Sequence, residues 1–221
     1  MPGLQTLHCD RNELNTLDLS LVPSLQELDC GDNQLTTLDL THVSGLKKLR
    51  CFGNELTRLD LSRVPDLQIL YCGYNKLTEL DLTPVPSLMR LTCHSNQLAT
   101  LDLTPVPGLQ KLSCGGNFFS TLDLTPVPNL QELDCTGNTL RRSPLTKLDL
   151  SSVPNLKKLE CGFNRLTKLD LSSVPCLQEL NCMGNDLITL DLTPVPNLRE
   201  LYCDASVNIK AAPPKLEVHR G

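Results

Sequence analysis

The chain has 221 residues and a net charge of −5; it is 40% hydrophobic but only 3% aromatic, with no Trp. It can therefore bury a core, and its lysines and arginines are dispersed among acids, which excludes nucleic-acid binding through a basic patch on the phosphates. No apolar run approaches the length that spans a bilayer, and the opening MPGLQTLHCDRN lacks the basic-then-apolar order of a signal peptide.

From Leu4 onward the chain repeats one phrase, L-x-x-L-x-C-x-x-N-x-L-T-x-L-D-L-T-x-V-P-x. Ten cysteines keep its register: Cys9, Cys30, Cys51, Cys72, Cys93, Cys114, Cys135, Cys161, Cys182 and Cys203. They fall 21 residues apart, except between Cys135 and Cys161, where the gap is 26. Each fills a slot that Leu fills in the second half of the unit, so they read as small buried hydrophobes in a reducing compartment. Ladder disulfides between neighbouring coils are the alternative. Paired Cys-x-x-Cys zinc knuckles are absent.

The elements follow in chain order. In every unit a Leu-x-Cys alternation, such as Leu28 and Cys30 about Asp29, has period two and predicts a short strand buried on one face. A second alternation, such as Leu38 and Leu40 about Asp39, predicts strand or extended chain on the opposite wall. Between the two walls an Asn ladder (Asn12, Asn33, Asn54, Asn75, Asn96, Asn117, Asn138, Asn164, Asn185) is placed to satisfy turn amides and carbonyls in its own coil and the next. The Val-Pro that ends the unit suits a corner. Glycines just after Cys, at Gly31, Gly73, Gly115 and Gly162, suggest a tight turn there. Strands stacked at about 4.8 Å would make parallel sheets, with leucines buried only by neighbouring coils.

The first coil enters mid-unit and carries no cap for its leucines; a preceding segment, or a homodimer through this uncapped coil, would cover them. The frame then runs unbroken to Cys135. A five-residue insertion within 139–148 bulges from the seventh coil, and the solenoid runs to residue 204. Residues 205–221, with a Pro pair, leave the pattern and read as a partial C-terminal cap or linker.

This phrase resembles the leucine-rich repeat, and most closely the short 21-residue bacterial subclass with L-x-x-L-x-C-x-x-N-x-L-x-x-L-D-L, called IRREKO repeats. The resemblance covers residues 4 to about 204. It implies a mostly β solenoid of about ten coils, with a parallel sheet on one face, short strand or extended segments on the return face and little helix. It also implies that the outward positions of the sheet are the ligand surface.

Comparing coils within the chain separates scaffold from surface. The residues either side of the strand Leu vary freely, from Thr6 and His8 to Glu200 and Tyr202. Of seven Phe and Tyr, only Phe119 takes a core Leu slot; the rest lie on outward strand positions or the adjoining turn, where rings act as binding anchors. The candidate partner-binding patch is Lys48, Arg50, Phe52, Tyr71, Tyr74, Arg90, His94 and Lys111, flanked by Glu27, Glu132, Glu179 and Glu200, and suited to an acidic or mixed-charge protein.

The Asp ladder (Asp18, Asp39, Asp60, Asp81, Asp102, Asp123, Asp149, Asp170, Asp191) is placed to accept turn amides or Ser/Thr hydroxyls. The Gly-rich nonapeptides of calcium rolls are missing. No metal site, cofactor or catalytic constellation is expected; G-x-S-x-G, P-loop and H-E-x-x-H motifs are absent, and Cys176 reads as an incidental corner thiol. The expected function is a non-enzymatic protein-interaction scaffold in the cytoplasm, either bacterial or, for a secreted effector, that of a host. The alternative is the recognition domain of a larger bacterial effector or surface protein.

Overall fold

The computed structural model describes residues 3–137 and 144–221. Two compact units are present, Met1–Leu109 and Gln110–Gly221. Asn138 and part of the predicted insertion, residues 139–143, lie outside the described residues. No helix occurs among the described residues, so none is long and apolar enough to cross a membrane.

The first unit has five three-residue strands: β1 (Thr6–His8), β2 (Glu27–Asp29), β3 (Lys48–Arg50), β4 (Ile69–Tyr71) and β5 (Arg90–Thr92). They pair in parallel, each with the next, and the register places Leu7, Leu28, Leu49, Leu70 and Leu91 in one row. The second unit has β6 (Lys111–Ser113), β7 (Glu132–Asp134), β8 (Lys158–Glu160), β9 (Glu179–Asn181), β10 (Thr189–Asp191), β11 (Glu200–Cys203), β12 (Asn208–Lys210) and β13 (Glu217–Arg220). There β6 to β9, β11 and β13 pair in sequence as a parallel sheet, and β10 pairs with β12 on the return wall. Both units are stretches of the expected parallel β-solenoid. Residues 205–221 supply β12 and β13, so the tail adds a shortened coil with its own strand on each wall.

The strand Leu is buried from β2 to β11 while its two neighbours are at least partly exposed, as the period-two pattern requires. The inner leucines, the valines of Val-Pro and the ladder cysteines from Cys30 on form the core. Phe119 is the ring in that core.

The return wall is made differently from the sheet. Only β10 and β12 form a ladder there among the described residues. Elsewhere each coil turns twice through i+3 bonds: Val43 N–H donates to Leu40 O at 3.2 Å and Leu46 N–H to Val43 O at 3.0 Å. Pro65 takes the second position of the turn Val64–Leu67, where its fixed φ fits and its missing N–H costs nothing. The preceding amide is taken by the Asp ladder. Thr41 N–H donates to Asp39 Oδ1 at 2.9 Å, and Ser62, Thr83, Ser151 and Ser172 repeat the bond. Amides satisfied within their own coil are not offered to the next one, which leaves the wall extended but largely unladdered.

The Asn ladder holds the opposite corner. Asn54 Nδ2 donates to Cys30 O, Cys51 O and Phe52 O at 3.0–3.2 Å, and its Oδ1 accepts Leu35 N–H at 2.9 Å. Asn33, Asn75 and Asn164 do the same. The neighbour each Asn serves is the preceding coil, where the sequence suggested the following one. No buried side-chain nitrogen or oxygen among the described residues lacks a partner, as a polar spine in a dry interior requires.

The glycines after Cys have a different cause from the one their sequence position suggests. The left-handed backbone falls one residue later, at Arg11, Asp32, Gly53, Tyr74, Ser95, Gly116, Phe163 and Gly184, with φ between 50° and 68°. Gly31 and Gly73 are needed for room. A Cβ on Gly31 would come within 2.5 Å of the Phe52 ring, and one on Gly73 within 3.0 Å of the His94 imidazole.

Candidate binding face

The outward face of the first unit is built on the rows flanking the buried leucines. Lys48 faces Ile69 across β3 and β4, Arg50 faces Tyr71, and Ile69 faces Arg90 across β4 and β5. Arg50 lies over the Tyr71 ring, its guanidinium carbon 5.6 Å from the centroid, a cation–π geometry. Phe52 caps Gly31, and His94 caps Gly73. Tyr74 is 61% exposed on a left-handed backbone and meets the His94 ring edge-on at 4.7 Å. Seven of the eight predicted patch residues thus belong to this unit.

Their charges are not equally available. Lys48 Nζ and Arg50 Nη1 both bond Glu27 Oε1 at 2.7 Å. The Lys48 ammonium, then the Arg50 guanidinium, hold the Glu27 carboxyl below its usual value. The eighth residue, Lys111, sits in the second unit and pairs with Glu132. Arg90 is exposed and has no ion-pair partner among the described residues. The sequence signalled a cluster of cations; folding leaves one of them free beside a set of rings. Ile69, between Lys48 and Arg90, was legible as an outward position but not as part of the patch; a branched apolar residue in a row otherwise charged or polar was the available signal.

The second unit presents a different face. Glu132, Lys158, Glu179, Glu200 and Glu217 share one row, and Asp134, Glu160 and Asn181 the other. Lys158 bridges Glu179 at 2.8 Å and Glu160 at 3.3 Å, and these carboxylates, Glu179 first, raise its pKa. Tyr202 stacks on His219 with centroids 4.3 Å apart.

The buried ladder thiols are held protonated, while Cys176 is exposed. All eleven cysteines are free, and burial pushes Cys30, Cys72, Cys135 and Cys182 up to about 12. A groove of about 730 Å³ on the return wall of the first unit is lined by Arg58, Asp60, Glu79, Asp81 and Asp102. Its three aspartates each hold the amide two residues on; the Ser62 amide lowers the pKa of Asp60, and the Thr83 and Thr104 hydroxyls, then their amides, lower those of Asp81 and Asp102.

No protein-family model matches the chain, and no curated protein sequence does. Solved structures do. The functional domain of InlJ from Listeria monocytogenes, which includes a cysteine ladder, is 38% identical over 91% of this chain and 44% of its own, with a TM-score of 0.85. A leucine-rich-repeat protein of Leptospira interrogans is 27% identical over 97% and 60%, with a TM-score of 0.87. YopM from Yersinia enterocolitica is 28% identical over 99% and 55%, with a TM-score of 0.66. This chain spans about half the length of those relatives.

Proposed function

Given that the chain is a leucine-rich-repeat protein built on 21-residue coils, we propose that it is a non-enzymatic protein-interaction scaffold whose docking surface is the sheet face of the first unit. The carrying observation is the concentration of Phe52, Tyr71, Tyr74 and His94 on one outward face whose interior rows are almost all Leu and Cys. Rings there supply contact area at little entropic cost. With Lys48 and Arg50 already tied to Glu27, the charged contact falls to Arg90, so a mixed-charge segment suits the face better than a strongly acidic one. Replacing Tyr71 and Arg90 together by Ala should leave the melting temperature within a few degrees. It should also remove the partners captured by the wild-type chain from a bacterial or host extract; retained capture at full yield would overturn the assignment of this face.

A second reading makes the chain the recognition domain of a larger bacterial effector or surface protein, and the partial coverage of the Listeria and Yersinia relatives supports it. The free thiols suit a cytoplasmic setting. The half-buried Leu4, Leu7, Leu14 and Leu17 of the first coil offer an apolar end that a second copy would cover, which sedimentation velocity would report as a dimer. Residues 205–221 add β12 and β13 beside β10 and β11, which suits a partial cap on the last regular coil.

A further inference from the structure

We propose that His8, Asp10 and Asp29 form a binding site for a divalent transition ion of the zinc type on the outward face of the first two coils. His8 and Asp29 stand opposite each other in register on β1 and β2. Asp10 follows His8 by two residues, so all three side chains leave the sheet on one side while Cys9 turns inward. One imidazole nitrogen and one oxygen from each carboxylate lie within 4.8 Å of one another, and this is the one such triplet found among the described residues.

The geometry belongs to the repeat. The register sets the position after the strand Leu beside its copy in the following coil, with the position after Cys two residues on. In the next coil these slots hold Asp29, Gly31 and Arg50, and in the one after it Arg50, Phe52 and Tyr71. Only the first step carries three ligand types.

The site is part-organised. Asp29 Oδ1 accepts the Gly31 N–H at 3.2 Å, which orients the carboxylate. Two arginines pair with its carboxylates at long range, and a bound ion would displace them. Arg50 Nη1 is 3.7 Å from Asp29 Oδ2 and bonds Glu27 instead, and Arg11 Nε is 4.0 Å from Asp10 Oδ2; both distances exceed a hydrogen bond.

An imidazole with two carboxylates selects zinc, cobalt or nickel over calcium, which needs six or more oxygens. Three protein ligands leave a position for water or for a side chain of a docked protein.

The test titrates Zn2+ into the full, reduced chain by calorimetry and Co2+ by visible absorption. The wild type should bind one ion with nitrogen–oxygen d–d bands and no thiolate charge-transfer band. His8→Ala should weaken binding on the order of a hundredfold. Asp29→Asn, which keeps the acceptor for Gly31, should weaken it by at least about tenfold. His219→Ala should leave it unchanged. No one-to-one uptake by the wild type, uptake unaltered in His8→Ala, or a thiolate band as the sole signal would each overturn the proposal. None of these outcomes bears on the aromatic docking face, whose test uses different residues.

Discussion

The two units share an interior and differ in their faces. Asn75 in the first and Asn164 in the second make the same three donations and accept the same kind of amide, at distances that agree within 0.2 Å. From β2 to β11 their strand leucines are equally buried. On the sheet surface, by contrast, the first unit gathers rings and Arg90, while the second sets out Glu132, Asp134, Glu160, Glu179, Glu200 and Glu217 against Lys111 and Lys158. An interior row is constrained by the coils on both sides of it. An outward residue meets water, and changing it costs the stack little. Identity of interior with divergence of face is what a scaffold adapted for recognition requires.

The comparison can be strained hardest at alkaline pH. Cys30 and Cys72 in the first unit and Cys135 and Cys182 in the second keep their protons to about pH 12 in the fold. The unfolded chain loses them near its ordinary thiol value of 9.0. Between those limits the native state binds more protons, so stability falls as pH rises, by about 1.4 kcal/mol per pH unit for each such thiol. It is unaffected by the thiols below the ordinary value. Urea unfolding between pH 8 and 11 should show the loss in both units, and replacing Cys72 or Cys135 by Val should flatten the slope by about one proton each. A flat profile would mean that the ladder is not dry.

Asn75→Ala and Asn164→Ala come next. Each strips partners from buried carbonyls and an amide, and each should cost roughly 3 kcal/mol or more. Similar losses by denaturant titration would confirm that the interiors are equivalent; a gap of more than about 1 kcal/mol would break the equivalence.

The smallest effects separate the units. A Cβ on Gly31 meets the Phe52 ring, which can swing aside, but one on Gly115 meets the backbone oxygen of Thr136 at 2.3 Å. Gly115→Ala should therefore cost about 2–3 kcal/mol and Gly31→Ala about 1 kcal/mol, read from melting temperatures. Gly31→Ala should also displace Phe52 and weaken partner capture, which Gly115→Ala should not.

Much of the fold was legible because its cues are periodic. Leu28, Cys30 and Asn33 recur at a fixed spacing, and a strand, a buried thiol and a turn-filling amide each follow from local chemistry. The Asp ladder was equally readable, since Asp39 needs only the amide two residues on. The site was less legible. Lys48 and Arg50 looked like free cations because Glu27 lies 21 and 23 residues away in sequence. The turn glycines were assigned to the wrong slot because Gly31 answers to Phe52, also 21 residues away. The ligand triplet escaped notice because His8 and Asp29 come from different coils.

From its residues alone, this protein is determined to be a stack of near-identical coils with leucines inside and one variable wall, since period-two burial and a 21-residue repeat allow little else. Which charges cancel, which rings stand proud and which ligand atoms converge are decided between coils. Those contacts depend on register and spacing across the stack, which no single repeat contains.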